Sequence, residues 1–107
     1  MREKAFEKQV KDFLQEQGCW CLKTWSNGIQ REGVPDLLVC CNGYFVAVEL
    51  KNETGKASDL QLWNIRKINE AGGFAIVLYP SAFERFKSFI ADLKNGYFSK
   101  DGGEIWR

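Results

Sequence analysis

The 107-residue sequence contains no histidine. That excludes an imidazole general base, a Ser–His or Cys–His nucleophile and an imidazole metal ligand. Any acid–base or metal chemistry must come from carboxylates, Lys or Tyr. Charge of one sign is not in excess either: 15 Lys+Arg stand against 14 Asp+Glu, for a formal net charge of +1. A nucleic acid would therefore be held by local positive patches or a metal ion, not by a global field. No apolar run approaches the ~20 residues of a membrane span. The opening Met-Arg-Glu-Lys leads into an amphipathic stretch instead of the apolar core of a signal peptide. The expectation is a cytoplasmic protein without membrane contact. The four cysteines lack C-x-x-C spacing: Cys19 and Cys21 are two apart, and Cys40 and Cys41 adjoin. They read as reduced thiols packed in strands, with a four-cysteine zinc site as the alternative. Repeats, linkers and low-complexity tracts are missing.

What is present is 45% hydrophobic and 14% aromatic, enough to rule out disorder for most of the chain and to build one domain. Residues 3–17 carry Phe6, Val10, Phe13 and Leu14 on one helical stripe, with Gly18 as a stop. Residues 19–25 read as a strand and Ser26–Val34 as a loop. Two strands, 36–41 and 44–51, flank Asn42-Gly43, a strong short-range hairpin signal because both residues tolerate positive φ. Ser58-x-x-Gln61 is a capping box opening a second helix with Leu62, Ile65 and Ile68 inward. Gly72-Gly73 ends it. Residues 74–79 are a continuous apolar strand closed by Pro80. Ser81-x-x-Glu84 reads as a further capping box, opening a third helix with Phe86, Phe89, Ile90 and Leu93 inside. The order is α-β-β-β-α-β-α, an α/β fold with a mixed sheet flanked by helices, in which segment 44–79 joins two parallel strands. The tail, 97–107, reads as a short hairpin around Asp101-Gly102.

The hairpin register can be worked out. With Asn42 and Gly43 as the turn, Cys41 faces Tyr44, Leu38 faces Ala47 and Asp36 faces Glu49. The acidic pair falls on a non-hydrogen-bonded position, where Cα atoms approach to about 4.5 Å. Lys51 points to the same face as Glu49. Like charges directly opposite are destabilising, and one pKa must rise. A hard divalent cation, Mg2+ or Mn2+, compensates, since it takes oxygen ligands from one or two carboxylates, water and a substrate phosphate. Lys51 then stands alongside as a point charge for a developing phosphoryl oxyanion. This is equipment for metal-assisted phosphodiester hydrolysis.

Pro35-Asp36 followed by Glu49-x-Lys51 resembles the PD-(D/E)xK nuclease superfamily, and Gly33-Val34-Pro35-Asp36-Leu37-Leu38-Val39 resembles its VRR-NUC branch. The similarity covers about residues 3–80. It includes a glutamate on the first helix and a glutamine after Gly55-Lys56-Ala57-Ser58. The resemblance implies a restriction-endonuclease-like core over residues 1–96 and a Mg2+- or Mn2+-dependent endonuclease. It also implies likeness to Holliday-junction resolvases that work as homodimers on branched DNA. It makes Asp36 and Glu49 metal ligands with the Leu50 carbonyl, Lys51 the catalytic lysine, Glu7 the completion of the acidic cluster and Gln61 an accessory residue. Glu7 lies about 100° from Phe6 on the helical wheel, at the edge of the buried stripe; a solvated helix carboxylate is its other reading. Gln61 is already explained by its cap.

Contact with DNA has to come from elsewhere. Lys23 and Arg31 flank the first loop, and Lys56 lies near the second. Ser26-Asn27-Gly28 can bring backbone amides to a phosphate. Lys4, Lys8 and Lys11 line one side of the first helix, as a DNA contact or as a solubilising face. Trp20 and Trp25 read as packed; Trp63 is packed or stacks on bases, and a dimer face is a third use for them. Two other functions stay open: a nuclease for flaps, ends or single strands, and a non-catalytic nucleic-acid-binding module.

Overall fold

The computed structural model describes residues 2–25, 32–99 and 102–107. In chain order these form α1 (Glu3–Glu16), β1 (Trp20–Lys23), β2 (Leu37–Cys41), β3 (Tyr44–Leu50), α2 (Asp59–Glu70), β4 (Phe74–Leu78), α3 (Phe83–Lys94) and β5 (Ile105–Trp106). The strands make one mixed sheet in the order β1-β2-β3-β4-β5. The β1/β2 and β2/β3 pairs are antiparallel; β3/β4 and β4/β5 are parallel. The hairpin register is the one the sequence specifies, with Cys41 opposite Tyr44 and Leu37 opposite Val48. Its turn places Asn42 at φ 51° and Gly43 at φ 84°, the two positive values that this turn requires.

Helices cover both faces of the sheet. On one face Phe6, Val10 and Leu14 of α1 and Phe86, Ile90 and Leu93 of α3 pack against Leu37, Val39, Val46, Val48, Ile76 and Leu78. On the other, Ile65 of α2 packs against Ala47, Ala75, Val77 and Tyr79. β3 from Val46 to Leu50 and all of β4 are buried, as central strands covered on both sides must be. α2 does not reach the β1 edge. Trp20, Cys40 and Phe45, in register across three strands, stay exposed on that face, and so does Leu22.

Three sequence expectations change. Trp20 and Trp25, expected to pack, are both exposed. Ser81 caps no helix: Pro80–Ala82 form a 3₁₀ turn and α3 starts at Phe83 without a side-chain cap. Proline fixes φ for a helical turn, so the chain begins to coil before Ser81 can act as cap. In the tail, the proposed turn residue Asp101 lies outside the described residues. Among the described residues the stretch beyond it does not pair back on the tail: Ile105–Trp106 adds to β4 as a parallel fifth strand. Trp106 is buried against Phe74 and Phe89. Gaining an apolar core contact outweighs an isolated two-stranded ribbon, which is marginal in water.

Candidate active site

Asp36 and Glu49 stand one residue beyond the last paired positions of the hairpin, Leu37 and Val48. The approach to Asp36 is tightly built. Gly33 has φ +76°, and a Cβ there would lie 2.6 Å from the Leu60 side chain. Buried Asn64 of α2 donates to the Glu32 carbonyl. Thr24 donates its hydroxyl to the Pro35 carbonyl (2.8 Å), and its N–H to the Asp36 carbonyl (2.8 Å). Asp36 Oδ2 in turn accepts from the Leu50 N–H at 2.8 Å, which fixes its carboxylate beside the Glu49-Leu50 peptide.

Glu49 is 2% exposed. Its Oε2 accepts from Gln61 Nε2 at 3.2 Å and lies 3.5 Å from the Lys51 ammonium, itself 13% exposed. Its Oε1 is buried and has no hydrogen-bond partner among the described residues. Burial, then the charge of Asp36 and a hydrogen bond shared with it, pushes the Glu49 carboxyl up to about 8, against the pull of Lys51. Near neutral pH the metal-free side chain therefore keeps a proton. Such an acid shares its proton with Asp36, and once ionised it leaves one buried oxygen without a donor, so it suits a hard cation in the proton's place.

Gln61 bonds in two directions. Its Oε1 accepts from the Ser58 N–H (2.9 Å), closing the capping box, while its Nε2 reaches Glu49. An amide has separate donor and acceptor ends, so the two roles do not compete.

Glu7 reaches the cluster through a lysine, not directly. Lys23 Nζ lies 3.0 Å from Glu7 Oε1 and 3.5 Å from Asp36 Oδ1. Lys11 approaches Glu7 from its own helix at 3.9 Å. Burial of the Lys23 stem works against its charge, but Glu7 and Asp36 together raise its pKa above the ordinary lysine value. The sequence pattern, which offers Lys23 as a DNA contact, does not announce this bridge. The signal was its strand parity, which puts it on the α1 face with Cys21. Lys56 is exposed, as are Lys4, Lys8 and Lys11, and Lys8 pairs with Asp12 at 2.7 Å. Ser26, Asn27, Gly28 and Arg31 lie outside the described residues.

A second support was not legible beforehand. Arg107 lies over the Tyr79 ring and donates to the Glu53 carbonyl (2.7 Å), while the Tyr79 hydroxyl donates to the Gly55 carbonyl (2.7 Å). β4 and the tail thus pin the loop that follows Lys51. The thiols do not converge: Cys40 is exposed on one face of the sheet and Cys41 buried on the other. Cys19 lies against Cys41, and burial, then Cys41, pushes its thiol up to about 12. Among the described residues no three His, Cys, Asp or Glu side chains gather as a metal-holding group, which holds for the thiols and for Glu7, Asp36 and Glu49 alike. No helix among them is long and apolar enough to cross a membrane.

A mixed sheet between helices, with an acidic pair and a lysine at the end of its central hairpin, defines a protein of the VRR-NUC/PD-(D/E)xK nuclease-like class. Residues 1–85 match the model of the archaeal Holliday junction resolvase (Hjc) family, and the chain belongs to that family. It is also similar to a solved structure described as a VRR_NUC domain, at 26% identity and a TM-score of 0.65 over 90% of this chain and 97% of that one. No curated protein matches the chain.

Proposed function

We propose that this chain is a Mg2+- or Mn2+-dependent endonuclease that hydrolyses phosphodiester bonds in branched DNA as a homodimer. The observation that carries the reading is the buried Glu49 set against Asp36, its Oε1 reached by no donor among the described residues. Asp36, Glu49 and the Leu50 carbonyl are the groups that would hold the ion. This fits a cation that takes one or two protein carboxylates and fills its remaining positions with water and substrate phosphate. When bound, the ion supplies Lewis-acid polarisation of the phosphate and a lowered pKa for an attacking water.

The chain's own residues do the rest. Gln61 and Lys51 both face Glu49 Oε2, so its other oxygen is left for the cation. The Lys51 ammonium, mostly buried, places a fixed positive charge where negative charge develops on the phosphoryl oxygens. The Asp36 carboxylate is anchored by the Leu50 N–H and needs no reorganisation as the reaction proceeds. Water oxygen adds to phosphorus, one ester P–O bond breaks, and the leaving oxygen takes up a proton. The exposed row Trp20, Cys40 and Phe45 with Leu22 offers an apolar face for a second copy, because contiguous exposed apolar surface marks interaction sites. The junction preference rests on the family name; a branched substrate would be recognised through its shape and by backbone contacts.

The test is cleavage of four-way junctions, flaps, nicked and linear duplexes and single strands, with Mg2+, Mn2+ or EDTA and with Asp36→Ala as control. Paired, symmetric, metal-dependent cuts on the junction are expected. Cuts confined to flaps or single strands would move the substrate assignment. Inertness of the parent protein with every divalent ion would leave a binding module.

A further inference from the structure

Glu7 sits on α1 and Asp36 precedes β2, yet an oxygen of each lies within 3.5 Å of one nitrogen, the Lys23 ammonium. Two carboxylate oxygens gathered around a single point form a place that a small cation can share. Here that place is held by a cation covalently part of the chain. Once Glu49 ionises to take an ion, three carboxylates (Glu7, Asp36, Glu49) face three ammonium groups (Lys11, Lys23, Lys51). One divalent ion at Asp36 and Glu49 turns the cluster positive, which suits an anionic phosphodiester. A second would have to displace a tethered ammonium whose effective local concentration is high. It would also have to shed water that Mg2+ gives up reluctantly.

We infer that Lys23 is a resident cation standing in the Glu7–Asp36 position, so that each protomer takes a single divalent ion and Glu7 serves by holding Lys23 instead of ligating metal. Lys23 is on this view a positioning residue. It fixes Asp36 Oδ1 while Leu50 N–H fixes Oδ2, and it sets the number of ions that the site accepts.

The inference rests on the metal-binding reading above, and the experiment separates the two. Mn2+ alone is titrated into the full chain without DNA, and bound ions per protomer are counted by the loss of the free-ion paramagnetic signal. The expected stoichiometry is one for the parent and one for Lys23→Arg, which keeps a cation in place. It rises to two for Lys23→Met and for Lys23→Gln, which do not. Adding Glu7→Gln to Lys23→Met returns it to one. No binding to the parent sinks the metal reading and this inference with it. Two ions on the parent, or one ion on folded Lys23→Met, overturns the inference and leaves the metal reading intact. Folding is followed by circular dichroism with and without Mn2+. A Lys23 variant that folds only with Mn2+ supports the inference, because the ion then replaces the missing ammonium. Both variants unfolded in either condition reduces Lys23 to a purely structural salt bridge and overturns it.

Discussion

Glu7 and Glu49 are the same side chain at the same site, and their surroundings give them opposite characters. Glu7 lies at the surface end of α1, partly exposed, with the Lys23 ammonium at 3.0 Å and Lys11 at 3.9 Å. Glu49 is buried in the central strand against Asp36, with one oxygen served by Gln61 and Lys51 and the other reached by no donor among the described residues. The first acid is already neutralised by the chain. The second is left wanting a cation and keeps a proton until one arrives. What separates a salt-bridged acid from a metal-ready one is thus burial and the number of donors reaching each oxygen, not residue type.

The contrast can be broken most severely at the Glu49 end. Asp36→Ala and Lys51→Ala are each expected to lower cleavage by about 10²-fold or more, the usual scale for losing a charge-stabilising group. Unchanged far-UV circular dichroism would show that the fold survives.

The next effect is on stability. The Glu49 carboxyl titrates at about 8 in the folded chain and at about 4.3 when unfolded. Between those values the folded state binds the proton and the unfolded state does not, so metal-free stability falls as pH rises through this window. The loss is on the order of a few kcal/mol by pH 8. Glu49→Gln should flatten that slope in denaturant melts at pH 5 and pH 8.5, and Mg2+ should restore the parent at the higher pH.

Gln61→Ala comes next. It removes one half of the capping box and one donor to Glu49, and should cost about 1 kcal/mol, or about 4–8 °C in Tm. Gln61→Glu should keep the cap yet fail to restore metal affinity to the parent level, since it sets a further acid against Glu49. Lys11→Ala should change stability by less than about 0.5 kcal/mol, as befits an exposed pair. A loss from Lys11→Ala as large as that from Lys23→Met would erase the distinction between the two lysines.

Much of this half of the site was legible in the sequence because it is local. Asn42-Gly43 sets the turn, the turn sets the register, and the register sets Asp36 across from Glu49 with Lys51 two residues on. Ser58 and Gln61 are likewise neighbours in sequence, and their box formed as read. The Glu7 half was only partly legible. Its helical-wheel position allowed a reach toward the sheet, but the lysine that meets it comes from β1, and only tertiary packing of α1 on that strand brings them together. The Ser81 cap failed because Pro80 started the turn first. β5 left no periodic signal in two residues. It forms because Val77 and Tyr79 donate their N–H groups to Glu104 and Trp106 carbonyls and because Trp106 finds the core. The clamp of Arg107 on Tyr79 and Glu53 follows from that docking and had no precursor in the pattern.

The most direct measurement is calorimetric titration of the DNA-free protein with Mg2+ at pH 7, in two buffers of different ionisation enthalpy. Binding should release about one proton per ion, because the Glu49 carboxyl must ionise to ligate. In Glu49→Gln both the proton release and most of the binding should vanish. Tight binding without proton release, or binding unchanged in Glu49→Gln, would show that the ion goes somewhere other than this buried acid.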